Sequence, residues 1–370
     1  MPLAPRFIMI GGFLGAGKTT AIARLANHYR SLGKRVVIVT NDQAADLVDT
    51  LLLRSHGFDV GEVAGSCFCC DFNGLTQAVE SLGEAGRPDV ILAEPVGSCT
   101  DLVATVIRPL EQIYQQPLQI APYGVIIKPS HGFKILGEGG GGFSPKAEYI
   151  FRKQLEEADF VVLNRIDELS PERVAEIEGM LEREFPGIPV LRTSALTGDG
   201  FDELARQLEN SVSPARRQMD VDYDTYAEGE AELGWLNAQA ECDANQKVSL
   251  DQFLVGLIAL LQGQLLAHQA EVAHLKAIVM ADGIQGVANL ISSQSKPVLS
   301  LPAGGQAKRF DVVVNARVGI APERLEAIVR DAFMLVGEEF AVDCRVKTLQ
   351  SFRPGRPVPT HRLVNDAASE

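Results

Sequence analysis

The sequence predicts an α/β chain: a P-loop NTPase domain with a mostly parallel sheet covered by helices, then a smaller α+β, ferredoxin-like domain. Three observations carry this reading. The run Gly12-Phe13-Leu14-Gly15-Ala16-Gly17-Lys18-Thr19 fits a phosphate-cradling loop at every defined position, between apolar Phe7-Ile8-Met9-Ile10 and an amphipathic stretch from Thr20 to Arg30. About two hundred residues then alternate strand-like and helix-like segments, as a parallel sheet covered on both faces requires. Beyond Asn210 the alternation gives way to a polar stretch and a different strand and helix order.

Taken in order, the strands of the first domain are expected at Arg6–Ile10, Arg35–Thr40, Val90–Glu94, Tyr123–Lys128, Phe160–Asn164 and Pro189–Thr193. Ser170-Pro171-Glu172 opens a helix with an N-cap and a proline at the first helical position. The glycine run 137–142 carries too much ordering entropy to be packed and reads as a flexible surface loop. The domains are expected at 1–210 and 229–370, with a linker over 211–228. In the second, Leu236, Ala238, Ala240 and Cys242 alternate as the buried face of a strand. Ser249-Leu250-Asp251-Gln252 has capping-box spacing before an apolar helix ending near His268. Strands at His274–Ala281, Gly286–Ser292, Val298–Leu301 and Phe310–Asn315, a helix with Leu325, Ile328, Val329, Ala332 and Phe333 on one face, and a strand at Cys344–Leu349 complete the chain. That order resembles β-α-β-β-α-β.

A net charge of -14 argues against nucleic acid or an anionic membrane as partner, because phosphates would be repelled. The apolar stretch Phe253 to Ala267 is interrupted by Gln262 and Gln264 and is too short to span a bilayer. Six cysteines, three of them in Cys67-Phe68-Cys69-Cys70, suit a reducing compartment, and the cytoplasm is the expected location. His274 and Lys276 alternate outward on their strand, and residues 352–362 form a basic, proline-stiffened tail.

The P-loop implies a nucleoside triphosphate held by Gly12, Gly15, Ala16, Gly17, Lys18, Thr19 and Thr20, with Lys18 on the β/γ-phosphates and Thr19 on Mg²⁺. Asn164-Arg165-Ile166-Asp167 follows a buried strand with the spacing of a guanine site. A carboxylate at Asp167 pairs with the guanine N1–H and amine, whereas adenine would leave it unpaired. Arg165 stands where lysine is usual and can stack on the base in its place. Ser194-Ala195 ends the next strand as the loop that would support guanine O6. GTP is therefore expected over ATP. Glu94-Pro95-Val96-Gly97 supplies a switch: Gly97 for the γ-phosphate and Glu94 for the Mg²⁺ shell or the attacking water. Asp42 is the preferred second Mg²⁺ or water-positioning carboxylate, ahead of Asp46 and Asp49 in the same acidic loop.

Thiolates are soft ligands for Zn²⁺, Cu(I) or similar ions, but the spacing of Cys67, Cys69 and Cys70 also suits buried, structural thiols. Gly-Phe-Leu-Gly-Ala-Gly-Lys-Thr-Thr, Cys-x-Cys-Cys, Glu-x-x-Gly and Asn-Arg-x-Asp together resemble the CobW/HypB/UreG family of GTPases, its CobW-like branch above all, over roughly residues 5–207. The resemblance implies a GTPase, slow without a partner, that couples nucleotide state to delivery of Zn²⁺ or Co²⁺. It makes Cys67, Cys69 and Cys70 ligands of the carried metal and implies a client metalloenzyme or cobalamin-dependent protein. A homodimer is compatible with it. The chain departs from the family pattern at Gly65-Ser66 before the first thiol, at Asn41 to Asp46, and at Ile127-Lys128-Pro129-Ser130, and it has no His-rich tract, so it reads as a divergent member. Two other readings stay open: a GTP-dependent interaction module with structural thiols, and a P-loop ATPase or small-molecule kinase.

Overall fold

The computed structural model describes residues 4–42, 48–84, 86–137, 144–209, 217, 219–290 and 292–364. Most of the glycine run and Asp46 lie outside the described residues. The chain divides into two units, one running to Gly229 and resuming at Arg356, the other formed mainly by Glu230–Gly355.

The first unit is built on strands β1 (Arg6–Gly11), β2 (Val36–Asp42), β3 (Asp59–Ala64), β4 (Val90–Glu94), β5 (Gln119–Ile120), β6 (Gly124–Ile127), β7 (Phe160–Leu163) and β8 (Val190–Arg192). Their order is β3-β2-β4-β1-β6-β7-β8, all parallel, with the short β5 beside β1. The central strands β1, β4, β6 and β7 are buried on both faces, which is why they read as continuous apolar runs. Helices Lys18–Ser31, Phe72–Glu84, Pro145–Glu157 and Pro171–Glu184 are among those between the strands. Ser170 occupies the N-cap position of the last of these with Pro171 in the first turn, although its side chain makes no capping hydrogen bond.

β3 is absent from the expected strands. It is an edge strand, half exposed, and its sequence Asp-Val-Gly-Glu-Val-Ala has neither a continuous apolar run nor strong alternation. Gly61 in it packs closely against the next helix: a Cβ there would lie 3.1 Å from Leu82 Cδ1. The expected linker also needs correction: Tyr223–Ala231 is a helix, and Tyr226 in it is fully buried. Its weak amphipathic pattern and its many carboxylates gave it the look of a solvated connection.

In the second unit, β9 (Gly234–Ser249), β10 (Val272–Ala281), β11 (Ile284–Leu290), β12 (Val298–Leu301), β13 (Gln306–Val318) and β14 (Val342–Phe352) form an antiparallel sheet in the order β12-β11-β10-β13-β9-β14. Strands β9, β10, β13 and β14 with helices Leu250–Ala267 and Pro322–Phe340 give the ferredoxin-like arrangement. The β11–β12 hairpin, lying between β10 and β13 in the chain, extends the sheet at one edge. Ser249 accepts from Gln252 N at the helix start, so the capping signal is realised. Leu236, Ala238, Ala240 and Cys242 do face the core, where Phe253, Leu257 and Leu261 meet Phe333 and Val336. The apolar helix spends this face on its own sheet.

Phe253 is fully buried and packs edge-on against Phe310 at 5.0 Å and Phe340 at 5.6 Å. Phe253→Ala should cost about 3–5 kcal/mol of the second unit's stability. Denaturant unfolding followed by tryptophan fluorescence checks this, because Trp235, the single tryptophan, reports from that unit.

Candidate functional site: a phosphate loop and a buried thiol cluster

The site gathers at the carboxyl ends of the parallel strands, where a doubly covered sheet leaves a crevice. β1 delivers the chain into the loop 12–17. Gly12 takes a left-handed φ of 133°, and a Cβ there would sit 2.2 Å from the Ile126 carbonyl. Helix Lys18–Ser31 follows at once. Lys18 is buried, with its ammonium curled over the loop and donating to Gly12 O at 2.9 Å. Thr19 Oγ1 donates to Glu94 Oε1 at 2.9 Å, so two of the expected Mg²⁺ groups are side by side. Thr20 is exposed on the first helical turn, and Gly15 is half-buried at the loop tip.

Gly97 closes the far side. A Cβ on it would come within 2.9 Å of both Lys18 Nζ and Leu14 Cδ2 and 3.1 Å of Leu14 Cα, so any larger side chain here would have to displace the lysine and the leucine. Asn164 is buried and uses both ends of its amide on protein: Nδ2 donates to Ala16 O at 3.0 Å and Oδ1 accepts from Ala195 N at 2.9 Å. It therefore orients the phosphate loop and the Ser194-Ala195 loop together. Ser194 Oγ accepts from Thr197 N, which closes that second loop into a turn. Arg165 has a left-handed φ of 63° and pairs with Glu168 at 2.9 Å, while Asp167 is exposed just beyond.

Asp42 sits at the end of β2, where its carbonyl accepts from Gly65 N at 3.1 Å. That places it beside the thiol loop. Its neighbour Asn41, overlooked in the sequence, builds that loop: Nδ2 donates to Val63 O and Ser66 O, and Oδ1 accepts from Phe68 N at 2.8 Å. One tight turn, with Cys70 N and Asp71 N both on Cys67 O, then folds the thiols together. Cys67 and Cys69 have their sulfurs 2.9 Å apart, and Cys70 Sγ lies 3.7 Å from Cys69 Sγ.

A fourth thiol joins them. Cys99 arrives on the segment after β4, and the sulfurs of Cys67, Cys69 and Cys99 all lie within 4.8 Å of one another, all three buried. Zinc–sulfur bonds of about 2.3 Å place tetrahedral ligands roughly 3.8 Å apart, which this cluster can meet. Sequence reading passed over Cys99 because it is remote from the Cys-x-Cys-Cys run. Its signal was a cysteine two residues past the switch glycine. Helix Pro145–Glu157 holds this segment from behind: Gln154 Nε2 donates to Gly97 O at 3.0 Å and Cys99 O at 2.8 Å. Glu157, wholly buried, accepts from Val103 N at 3.0 Å, and burial pushes its carboxyl well above the usual range.

The family model for the CobW/HypB/UreG nucleotide-binding domain matches residues 6–192, just over half of the chain and all of the strands just described. The chain belongs to this family. Among curated relatives, it is 30% identical over 171 residues to the zinc chaperone YeiR of Escherichia coli (strain K12), covering 44% of this chain and 47% of that protein. It is 29% identical over 222 residues to the urease accessory protein UreG of Metallosphaera sedula, covering 55% of this chain and 93% of that one. It is 25% identical over 214 residues to the zinc chaperone CobW of Pseudomonas aeruginosa, 48% of this chain and 53% of that protein. The match thus spans about half the length of the two zinc chaperones.

Electrostatically the cluster shares one easily lost proton. Hydrogen bonds from Cys69, Cys70 and Cys99 hold the Cys67 thiol well below its usual range. Giving up its hydrogen bond to Cys67 costs Cys69, which stays well above that range, and Cys70 is raised to about 11, first by its bond to Cys67. In reduced, metal-free protein, thiolate absorbance should therefore show one thiolate already present at neutral pH. It should be lost only as pH falls through the depressed pKa, and Cys67→Ser should remove it.

Proposed function

We propose that this protein is a GTP-dependent metal carrier that holds a soft divalent ion on Cys67, Cys69, Cys70 and Cys99 and delivers it to a client protein. The observation that carries this reading is that Cys99, five residues past Glu94 and two past Gly97, meets the buried thiols of the 67–70 loop. Three kinds of support converge: family membership, relatives named as zinc chaperones, and a cluster of three buried sulfurs within 4.8 Å of one another. Sulfur-only ligation favours Zn²⁺, with Co²⁺ as a close substitute.

The roles follow from position. The loop 12–17 and Lys18 cradle the phosphates, and Thr19 with Glu94 supplies oxygens for Mg²⁺. Asp167 selects guanine, with Arg165 covering the base, while Asn164 keeps the two flanking loops in register. Gly97 presents its backbone to the γ-phosphate. A shift of Gly97 on hydrolysis displaces Cys99 two residues later and alters the thiol geometry. Such coupling is reciprocal, so bound metal must change GTP affinity by the factor by which GTP changes metal affinity. Asp42 is proposed to hold the water or ion shell beside Glu94; it lies at the end of β2, next to the thiol loop.

Two measurements test this. Purified protein with Mg²⁺ should turn over GTP and not ATP, and Zn²⁺ or Co²⁺ should change that rate in wild type but not in Cys67→Ser or Cys99→Ser. GTP turnover blind to metal and to every cysteine would make the thiols structural and the protein an interaction module. Lys18→Ala should weaken GTP binding by roughly a hundredfold or more, the cost of leaving phosphate charge without its cation, measured by titration with a fluorescent GTP analogue.

A further inference from the structure

The basic tail that the sequence left without a role runs back across the thiol cluster. Residues 356–364 have no helix or strand, yet they hydrogen-bond along most of their length to the first unit. Val358 N donates to Cys70 Sγ at 3.2 Å. Thr360 N donates to Cys69 O at 2.8 Å, and its hydroxyl bonds Cys70 O at 2.9 Å. The His361 ring stands edge-on to Phe72 at 5.2 Å. Arg362 Nε donates to Asp101 Oδ2 at 2.7 Å, and Leu363 exchanges backbone bonds with Ala104 and the Arg108 side chain. The tail therefore grips both stretches that carry the thiols, 67–72 and 99–108.

Asp101 is the latch of this arrangement. It is buried and takes a left-handed φ of 63°, a conformation a non-glycine residue holds only when its surroundings insist. Its carboxylate accepts from Arg362 and from the Tyr223 hydroxyl at 2.8 Å. Arg356 pairs with Asp224 at 2.8 Å, next to that tyrosine, so the two ends of the strap are fastened to neighbouring residues. Cys67, Cys69 and Cys99 are sealed in the interior, whereas Cys70 is half-buried and lies under the strap.

We infer that residues 356–364 are a gate over the thiol site, and that Cys70 is the exchange thiol through which the metal enters and leaves. This rests on the metal-carrier reading above. With the strap closed, the Val358 N–H bonds the Cys70 sulfur and the chain excludes an incoming ligand. With it open, a deprotonated thiolate or imidazole of the recipient replaces the Cys70 sulfur on the ion. One metal–ligand bond forms as one breaks, with no change of oxidation state. Cys67, Cys69 and Cys99 hold the ion until that exchange has begun.

The test uses full-length protein loaded with Zn²⁺ and mixed rapidly with excess chromogenic chelator. Arg362→Ala unfastens the latch, and Val358→Pro removes the one N–H that reaches Cys70. Each should speed zinc release by roughly tenfold or more, the change in open population expected from losing a charged hydrogen bond or the contact it secures, while zinc stoichiometry stays at the wild-type value. Alkylation by iodoacetamide, mapped by mass spectrometry on metal-free protein, should accelerate at Cys70 in both variants and leave Cys67, Cys69 and Cys99 protected. Zinc bound and released at one rate in all three proteins, with Cys70 alkylation unchanged, overturns the gate alone. A wild type that binds no Zn²⁺ overturns the carrier reading and the gate with it.

Discussion

The rest of the site depends on one close approach. At Gly97 the backbone passes so near the phosphate loop that a Cβ would come within 2.9 Å of Lys18 Nζ and Leu14 Cδ2 and 3.1 Å of Leu14 Cα. The segment is thereby pressed against the phosphate loop on one face and tied to helix Pro145–Glu157 on the other, through Gln154 and Glu157. Bound on both sides, it has few ways to move and must move as a piece. Within eight residues it presents Glu94 to Thr19, Gly97 to Lys18, Cys99 to the thiols and Asp101 to the tail. A nucleotide acting on Gly97 would reach the metal through two peptide units, without a long relay of side chains. The π-helical turn Val103–Ile107 that follows is the kind of irregularity that lets such a segment shift without unravelling the helix behind it.

What was legible in the sequence was whatever the local chain alone decides. The phosphate loop shows because its backbone demands glycine at set positions. β4 appears at its true bounds, Val90–Glu94, because burial on both faces leaves an unbroken apolar run. The alternation of Leu236, Ala238, Ala240 and Cys242 and the cap at Ser249 revealed the second unit for the same reason. Edge strand β3 escaped notice because half of it faces water. The roles of Asn41, Cys99 and Glu157 were hidden too, since each acts on residues brought near by the β3-β2-β4 strand order and by the helix packed behind it. Asn164 was expected to orient its loop and contact the base edge, and the structure gives both ends of its amide to flanking loops. The tail was the least legible of all: Val358 meets Cys70 across 288 positions, and nothing in a basic, proline-rich run announces such a partner.

The two ends of the switch segment differ in the chemistry of what they offer, and that difference bears on how one chain can handle two cations. Beside the phosphate loop stand the Thr19 hydroxyl and the Glu94 carboxylate, hard oxygen donors suited to Mg²⁺, which keeps much of its water. A few residues on, Cys99 joins the three thiols of the 67–70 loop; Cys67, Cys69 and Cys99 are sealed from water, and a thiolate is already favoured at Cys67. Mg²⁺ gains little from sulfur, and a soft ion gains far more from thiolates than from one hydroxyl and one carboxylate. The abundant ion and the scarce one are thus sorted by donor type, with no need for a barrier between the sites. That sorting is what would allow their only connection to be mechanical, through the position of Gly97, so that the state of the phosphates is read by the thiols without the ions ever competing for the same ligands.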